Sequence, residues 1–177
     1  MHYRKLVDSL RKFRVWHRFI GTTVALFVVV SAATGILLGW KKNVDLLQPA
    51  ERQGTTSELD KWASLQTIVA SATQAMDSVR GYSATVDKLD VRPGKGIVKV
   101  LFKEGYWEVQ VDGVTAKPLS VSRRHSDWLE KVHDGSIIDD IFKIGYTNML
   151  GLGLFILSLS GLWLWYGPKV VRKIKND

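Results

Sequence analysis

Two long runs without a charged residue constrain this chain more than any other feature. Phe19–Trp40 is one, of 22 residues, and Ile144–Pro168 is the other, of 25. As a helix the first is about 33 Å long, against a bilayer hydrocarbon core of roughly 30 Å. A helix buried in a soluble core seldom stays uncharged for so long, so both runs read as transmembrane helices.

The charge distribution supports this reading. The formal net charge is +8 over 177 residues, a balance that in a soluble protein would suggest nucleic-acid binding. Its location excludes that class. Residues 1–18 carry six Lys/Arg against Asp8, and residues 169–177 carry four against Asp177. Residues 41–143 carry fifteen charges of each sign. All the excess therefore flanks the apolar runs, with Arg11, Lys12, Arg14 and Arg18 before the first and Lys169, Arg172, Lys173 and Lys175 after the second. By the positive-inside rule both termini are expected in the cytoplasm, and the long 41–143 loop outside. Trp16, Trp40, Trp163, Trp165 and Tyr166 lie near the span ends, where amphipathic rings prefer to sit.

The first run is too long for the apolar region of a signal peptide and no small-residue cleavage site follows it, so a retained anchor is expected. The chain has no cysteine, which excludes disulfides, thiolate nucleophiles, Cys-ligated clusters and c-type haem attachment. A stripe of small residues in the first span (Gly21, Ala25, Ala32, Gly35 and Gly39) is either a helix-packing face or the ordinary Gly/Ala content of a membrane helix. The two spans also resemble each other weakly: Thr34-Gly35-Ile36-Leu37-Leu38 pairs with Ser160-Gly161-Leu162-Trp163-Leu164.

The parts divide as a basic tail (1–18), a first span (19–40), a polar linker (41–60), a small domain (61–143), a second span (144–168) and a second basic tail (169–177). In the domain, Trp62, Leu65, Ile68, Val69, Ala72 and Met76 recur at helical spacing, ended by Gly81. Ser57 to Asp60 forms a loose capping box before them. Strand signals follow at 85–91, 97–102 and 106–111, separated by Pro93-Gly94-Lys95-Gly96 and Glu104-Gly105. Asp112-Gly113 turns again, Leu119 and Val121 suggest a fourth strand, and Asp127–His133 reads as a short helix. The fold class is therefore α+β, with a helix, an antiparallel meander and a helix between two membrane helices.

This order resembles the PepSY-associated transmembrane family. The resemblance rests on Tyr106-Trp107-Glu108-Val109-Gln110-Val111-Asp112 closing the meander, then Arg123-Arg124 and the Leu129 to Gly135 segment. It extends to Trp16-His17-Arg18-Phe19-Ile20-Gly21 at the first span and Ser158–Trp165 in the second, and covers most of residues 14–168. Many members have four or more spans, so this two-span chain looks like half of such a protein.

Of the four histidines, His2 lies in a terminal tail and His125 follows Arg123-Arg124 on what reads as a polar surface. His17 is at the mouth of the first span and His133 lies eleven residues before the second. The resemblance implies that histidines at such helix ends ligate b-type haem, and that some relatives reduce ferric siderophores. Neutral imidazoles suit axial ligation of haem iron, Gly21 would leave room for a porphyrin face, and Asp134 is placed to orient the His133 ring. His17 and His133 cannot share one iron, because about 35 Å of helix separates the two membrane faces. Each site is expected to be completed by a partner, most simply in a symmetric homodimer.

The expectation is thus a haem b-binding electron-transfer subunit of the bacterial inner membrane, with its domain periplasmic or extracellular. The competing class is a non-catalytic, membrane-tethered PepSY module that binds a protein partner such as a peptidase. A third is a structural partner for a larger transporter. No His-Glu-x-x-His, nucleophile elbow or P-loop is present. Asp139-Asp140 reads as the start of the second membrane helix, since negative charge suits a helix N-terminus; a metal role is the lesser alternative.

Overall fold

The structure, a computed structural model, describes residues 2–81 and 84–176. The chain divides into two compact units. One joins the segments up to Ile36 and from Lys131, and the other is Leu37–Glu130.

The first unit pairs helix α1 (His2–Gly39) with helix α4 (Asp140–Asn176). Both continue beyond the uncharged runs and take the basic flanks into the same helices. Asp139 caps α4 by accepting the Phe142 N–H at 2.5 Å, which agrees with the reading of Asp139-Asp140 as its start. Pro168 lies inside α4 without ending it.

The helices run antiparallel and meet on a seven-residue period. From α1 come Leu10, His17, Val24 and Ser31; from α4 come Gly167, Ser160, Gly153 and Tyr146. A Cβ on Gly167 would lie 2.4 Å from Leu10 Cδ2, and one on Gly153 2.9 Å from Val24 Cγ2. Between these rungs His17 Nδ1 meets Ser160 Oγ at 2.7 Å, and at the last Ser31 Oγ meets Tyr146 OH at 3.1 Å. Each rung sets a small residue against a larger one, so the backbones approach closely. A strict seven-residue repeat is the signature of helices that coil gently around each other. Edge contacts of Phe13 with Trp163 and of Phe27 with Tyr146 flank the seam.

The seam corrects one expectation. Of the small-residue stripe in α1, Gly21 and Gly35 have neighbours across the unit, but Ala25 and Ala32 are exposed and Gly39 has open space. The closest approaches come from the glycines of α4. Away from the seam, Phe19, Leu26, Val29, Ile36, Leu152, Phe155, Leu159 and Leu162 are exposed, as lipid-facing side chains of a membrane helix are.

The second unit is built on an antiparallel meander of β1 (Val86–Arg92), β2 (Ile97–Phe102), β3 (Trp107–Asp112) and β4 (Pro118–Arg123), in spatial order β1-β2-β3-β4. Helix α2 (Leu65–Arg80) covers one face. Its Ile68, Ala72 and Met76, four residues apart and fully buried, pack onto Val98, Val100, Val109 and Val111. The cap of α2 is Ser64, whose hydroxyl accepts the Thr67 N–H at 3.1 Å, and not the expected box at Ser57 to Asp60. A single 3-10 turn occupies Leu59–Lys61, and Trp62 precedes the helix, with its indole N–H donating to Thr56 O at 3.0 Å. Gly81 closes α2 with φ 73°, the left-handed cap that glycine adopts without strain.

The other face of the sheet is polar and buried. Lys99, Glu108, Gln110 and Asp112 project from it, and the 50–55 segment is stitched over them. Glu51 takes the Lys99 ammonium at 2.8 Å, and Gln110 bonds Ala50 O and the Arg52 N–H. Asp112 takes the N–H and hydroxyl of Thr55, both at 2.7 Å. Burial pushes the Glu108 carboxyl up, against the pull of Lys99 and Arg124. Helix α3 (His125–Asp134) follows β4 and leads back to the first unit.

Candidate functional site: two histidines on the helix seam

His17 and His133 both belong to the first unit, and the structure keeps them apart. The ring of His17 lies on the seam against Ser160 of α4; that of His133, from the last turn of α3, meets Ser31 and Thr34 of α1. Along α1 the two contact points are seventeen residues apart, about 25 Å. They form two sites. His125 is exposed at the start of α3, and the side chain of His2 lies outside what the structure describes.

The hydrogen bonds of each ring are made through Nδ1. Ser160 Oγ gives its one proton to backbone oxygen, 2.7 Å from Ile156 O and 3.2 Å from Leu157 O. With its proton so placed, this oxygen is available to accept from His17 in the tautomer that carries its proton on Nδ1. His133 Nδ1 lies 3.0 Å from Ser31 O, which can only accept, and 3.0 Å from Thr34 Oγ1. Thr34 Oγ1 likewise donates to Val30 O at 2.8 Å. Nδ1 of His133 is thus also the protonated nitrogen. An imidazole with its one proton on Nδ1 keeps its lone pair on Nε2, and Nε2 of each ring hydrogen-bonds to no described residue. An imidazole with Nδ1–H held by an oxygen and Nε2 open is the arrangement of a metal-ligating histidine.

Each ring also rests beside a glycine of the facing helix. A Cβ on Gly161 would lie 3.5 Å from His17 Cε1, and one on Gly35 3.3 Å from His133 Cε1. The sequence likeness between Thr34-Gly35 and Ser160-Gly161 therefore has a physical counterpart. Each hydroxyl holds a ring nitrogen, and each glycine leaves space for the ring carbon.

The surroundings differ. His17 lines a groove of about 270 Å³ walled by Phe13, Trp16, Ile20 and Ile156, with Lys12 at its rim. Gly21 adjoins Leu157 across the seam, and its missing side chain does not open this groove. Around His133 the contacts are polar. Ser31 Oγ donates to His133 O at 3.2 Å and shares a bond with Tyr146 OH. Gly135, with φ 81°, ends α3 so close to Tyr146 that a Cβ would lie 3.1 Å from the ring.

Asp134 does not orient His133, contrary to expectation. Its carboxylate takes the Ser136 N–H at 2.9 Å, the Ser136 hydroxyl at 2.7 Å and the Lys143 ammonium at 2.7 Å. Desolvation opposes ionisation there, but these three donors outweigh it and hold the Asp134 carboxyl down at about 2. Asp134 pins the turn before α4.

The residues that orient the rings, Ser160, Ser31 and Thr34, are ones that the histidines alone do not reveal. Their signal in the sequence is the seven-residue spacing 10-17-24-31 against 146-153-160-167.

The donor chemistry fits axial ligation of haem iron: one open Nε2 per site, with its ring held by a hydroxyl or carbonyl. No group of three or more His, Asp or Glu gathers among the described residues, so each site offers a single ligand. The groove at His17 forms one apolar wall, and a planar macrocycle would need a second wall from another molecule.

A family model described as the PepSY-associated TM region matches residues 14–174. No curated protein matches the chain.

Proposed function

The chain belongs to the PepSY-associated transmembrane family, and from that premise we propose that it is a membrane-anchored PepSY protein that binds haem b at His17 and His133 and carries electrons across the bilayer. The observation that supports this most is the matched state of the two rings. Each has Nδ1 on a fixed oxygen and Nε2 without a partner among the described residues.

In this reading His17 and His133 would each hold a haem iron through one ring nitrogen. Ser160, and Thr34 with Ser31 O, keep the rings from turning and make Nε2 the ligating atom. Haem b, when bound, supplies reversible one-electron chemistry at its iron. Phe13, Trp16, Ile20 and Ile156 exclude water from the ring at His17, and Lys12 is positioned to neutralise a propionate. A second copy of the chain would supply a further imidazole and wall at each end, which makes a symmetric homodimer the working form in this reading. The basic flanks favour a topology with both termini in the cytoplasm and the PepSY domain in the periplasm of a bacterial inner membrane, where a ferric siderophore or similar acceptor would be reduced.

The test is an absorption spectrum. Protein expressed with added haem and purified in detergent is expected to show a Soret band that sharpens on reduction with dithionite. His17→Ala and His133→Ala should each remove part of it. A colourless protein, or a band indifferent to both substitutions, sinks the proposal.

The second reading is a tethered module that binds a protein partner such as a peptidase. It is favoured by the sheet topology, which leaves β1 and β4 as edge strands to which an extended segment could add. A colourless protein that co-purifies with a peptidase would establish it.

A further inference from the structure

We propose that two copies of the chain join edge to edge through β4, antiparallel and centred on Val121, so that their meanders form one continuous sheet. The contact lies wholly in the second unit and needs no haem.

The two edges of the meander differ. β1 carries Asp87, Lys88, Asp90 and Arg92, and its pairing with β2 slips between Val86 and Lys88. Charges and a bulge are the usual devices that keep an open edge from pairing. β4 instead has Leu119, Ser120, Val121 and Ser122 in a row, with no charge before Arg123. Its irregularity is at one end only, where Val111 pairs with Pro118 and Leu119 is passed over. From Ser120 to Arg123 the register with β3 is unbroken.

Backbone geometry shows which groups are open. The Arg124 N–H donates to Tyr106 O at 2.7 Å. Bonded pairs alternate along an antiparallel ladder, so Ser122 and Ser120 turn their backbone toward Glu108 and Gln110 of β3. Val121 and Arg123 turn theirs outward, where they bond to no described residue. Side chains alternate too. Val121 packs on the α2 face, and Arg123 lies on that face with its guanidinium carbon 4.9 Å from the centre of the Trp107 ring. Ser120 and Ser122 lie on the opposite face, beside a groove of about 300 Å³ that Asp45 and Arg52 also line.

Three features fit a second copy related by a two-fold axis. Val121 would pair with its own copy through two backbone bonds. Ser120 would lie opposite Ser122 of the second copy, in the closer, non-bonded type of pair. Ser120 Oγ is buried and has no hydrogen-bond partner among the described residues, and this pair supplies one. The third feature is charge. Arg52 stands at the Ser120 end of the groove, its backbone N–H donating to Gln110 Oε1 at 2.7 Å. Asp45 stands at the other end, in the turn anchored by the bond from the Ser126 N–H to Leu47 O. Neither side chain has an ion pair among the described residues. The two-fold sets Arg52 of each copy across from Asp45 of the other. Arg123 is kept from its own copy by four strand positions, about 14 Å, beyond the Debye length at physiological salt. Pairing of β4 with β1 of the next copy would meet the charges of β1 and would not close.

The test uses the full chain in membranes, without added haem. The chain has no cysteine of its own. Ser120→Cys and Ser122→Cys chains carrying different tags are co-expressed and oxidised with copper phenanthroline. The proposed register puts these two positions about 4.5 Å apart at Cα, within reach of a disulfide, and leaves each position about 7–8 Å from its own copy, outside that reach. A covalent dimer carrying both tags is therefore expected, and none from either variant alone or from Lys88→Cys on β1. Arg52→Asp and Asp45→Arg should each lower the yield of that dimer severalfold, and the two together should restore it. Far-UV circular dichroism of each variant checks that the sheet is intact. Absence of the mixed dimer overturns the proposal. So does equal cross-linking by Lys88→Cys or by Ser122→Cys alone, or a bond from the Ser122→Cys chain to a different protein in place of the second copy. A colourless protein would sink the haem reading and leave this contact standing.

Discussion

His17 Nδ1 of α1 and the hydroxyl of Ser160 in α4 share a hydrogen bond of 2.7 Å, on the second of four rungs that join the two long helices. Ser160→Ala deletes the acceptor and frees the ring to rotate. The helix pair should lose about 1 kcal/mol, the range of interhelical hydrogen bonds in membranes. The Soret band of haem-loaded protein should weaken or shift. Ser158→Ala is the control, since that hydroxyl bonds only Leu154 O within its own helix, and should alter neither property. Unfolding in mixed detergent micelles and an absorption spectrum measure the two effects.

Gly153 and Gly151 are two residues apart in α4 and should respond oppositely to alanine. At Gly153 the new Cβ would lie 2.9 Å from Val24 Cγ2, so Gly153→Ala forces the seam apart at roughly 1–3 kcal/mol. At Gly151 nothing lies within 4 Å, and Gly151→Ala should be neutral or slightly stabilising through helix propensity. Equal effects in a detergent unfolding titration would contradict the seam.

Where the 50–55 segment crosses the sheet, Gly54 and Gly96 touch through backbone alone. A Cβ on Gly54 would fall 1.9 Å from Gly96 O, and no side-chain rotation relieves that clash. The Gly54 N–H also donates to Lys95 O at 2.7 Å. Gly54→Ala should therefore cost more than about 3 kcal/mol and expose the domain to protease. Gly94→Ala, with open space around it, should be tolerated. Limited proteolysis of membranes carrying each variant distinguishes them.

Asp134 gives a pH-dependent term of known sign. Its carboxyl is held at about 2 in the folded chain, below the ordinary value near 3.9 when unfolded. The stabilisation is therefore complete above about pH 4 and is lost as the pH falls toward 2. Asp134→Asn should lower the melting temperature at pH 7 and narrow its gap to the wild type as the solution is acidified. A constant gap from pH 7 to pH 2 would show that the Lys143 and Ser136 bonds carry no such term.

The fold was largely legible, because its signals are local. The spans follow from the absence of charge, and Val109 and Val111 alternate with Glu108 and Gln110 as strand residues do. The helix cap was misjudged by seven residues, since Ser57 and Ser64 both precede acceptable first turns; tertiary packing of Trp62 against the domain core, beside Gly113, decides between them. The histidines were legible as candidates, but their partners were not. Ser160 reaches His17 only through the register of two helices distant in the chain. Neighbours in sequence also mislead on a helix, where successive side chains diverge by about 100°. Asp134 therefore turns away from the ring of His133 and toward Lys143. The small-residue stripe divides for a related reason: Gly21 and Gly35 meet neighbours across the unit, while Ala25 and Ala32 sit off the seven-residue seam.

The two rings leave the same nitrogen open at two levels of the helix seam, that of His17 held by Ser160 of α4 and that of His133, from α3, by Ser31 and Thr34 of α1. If both rings ligate haem as proposed, ligand chemistry gives this membrane segment no arrow. A reaction run through it would be as competent in one direction as in the other. Any polarity has to come from what is not duplicated: the apolar groove with Lys12 beside His17, and the Ser31–Tyr146 hydroxyl pair beside His133. Exchanging those surroundings, with both imidazoles left untouched, is the way to reverse it.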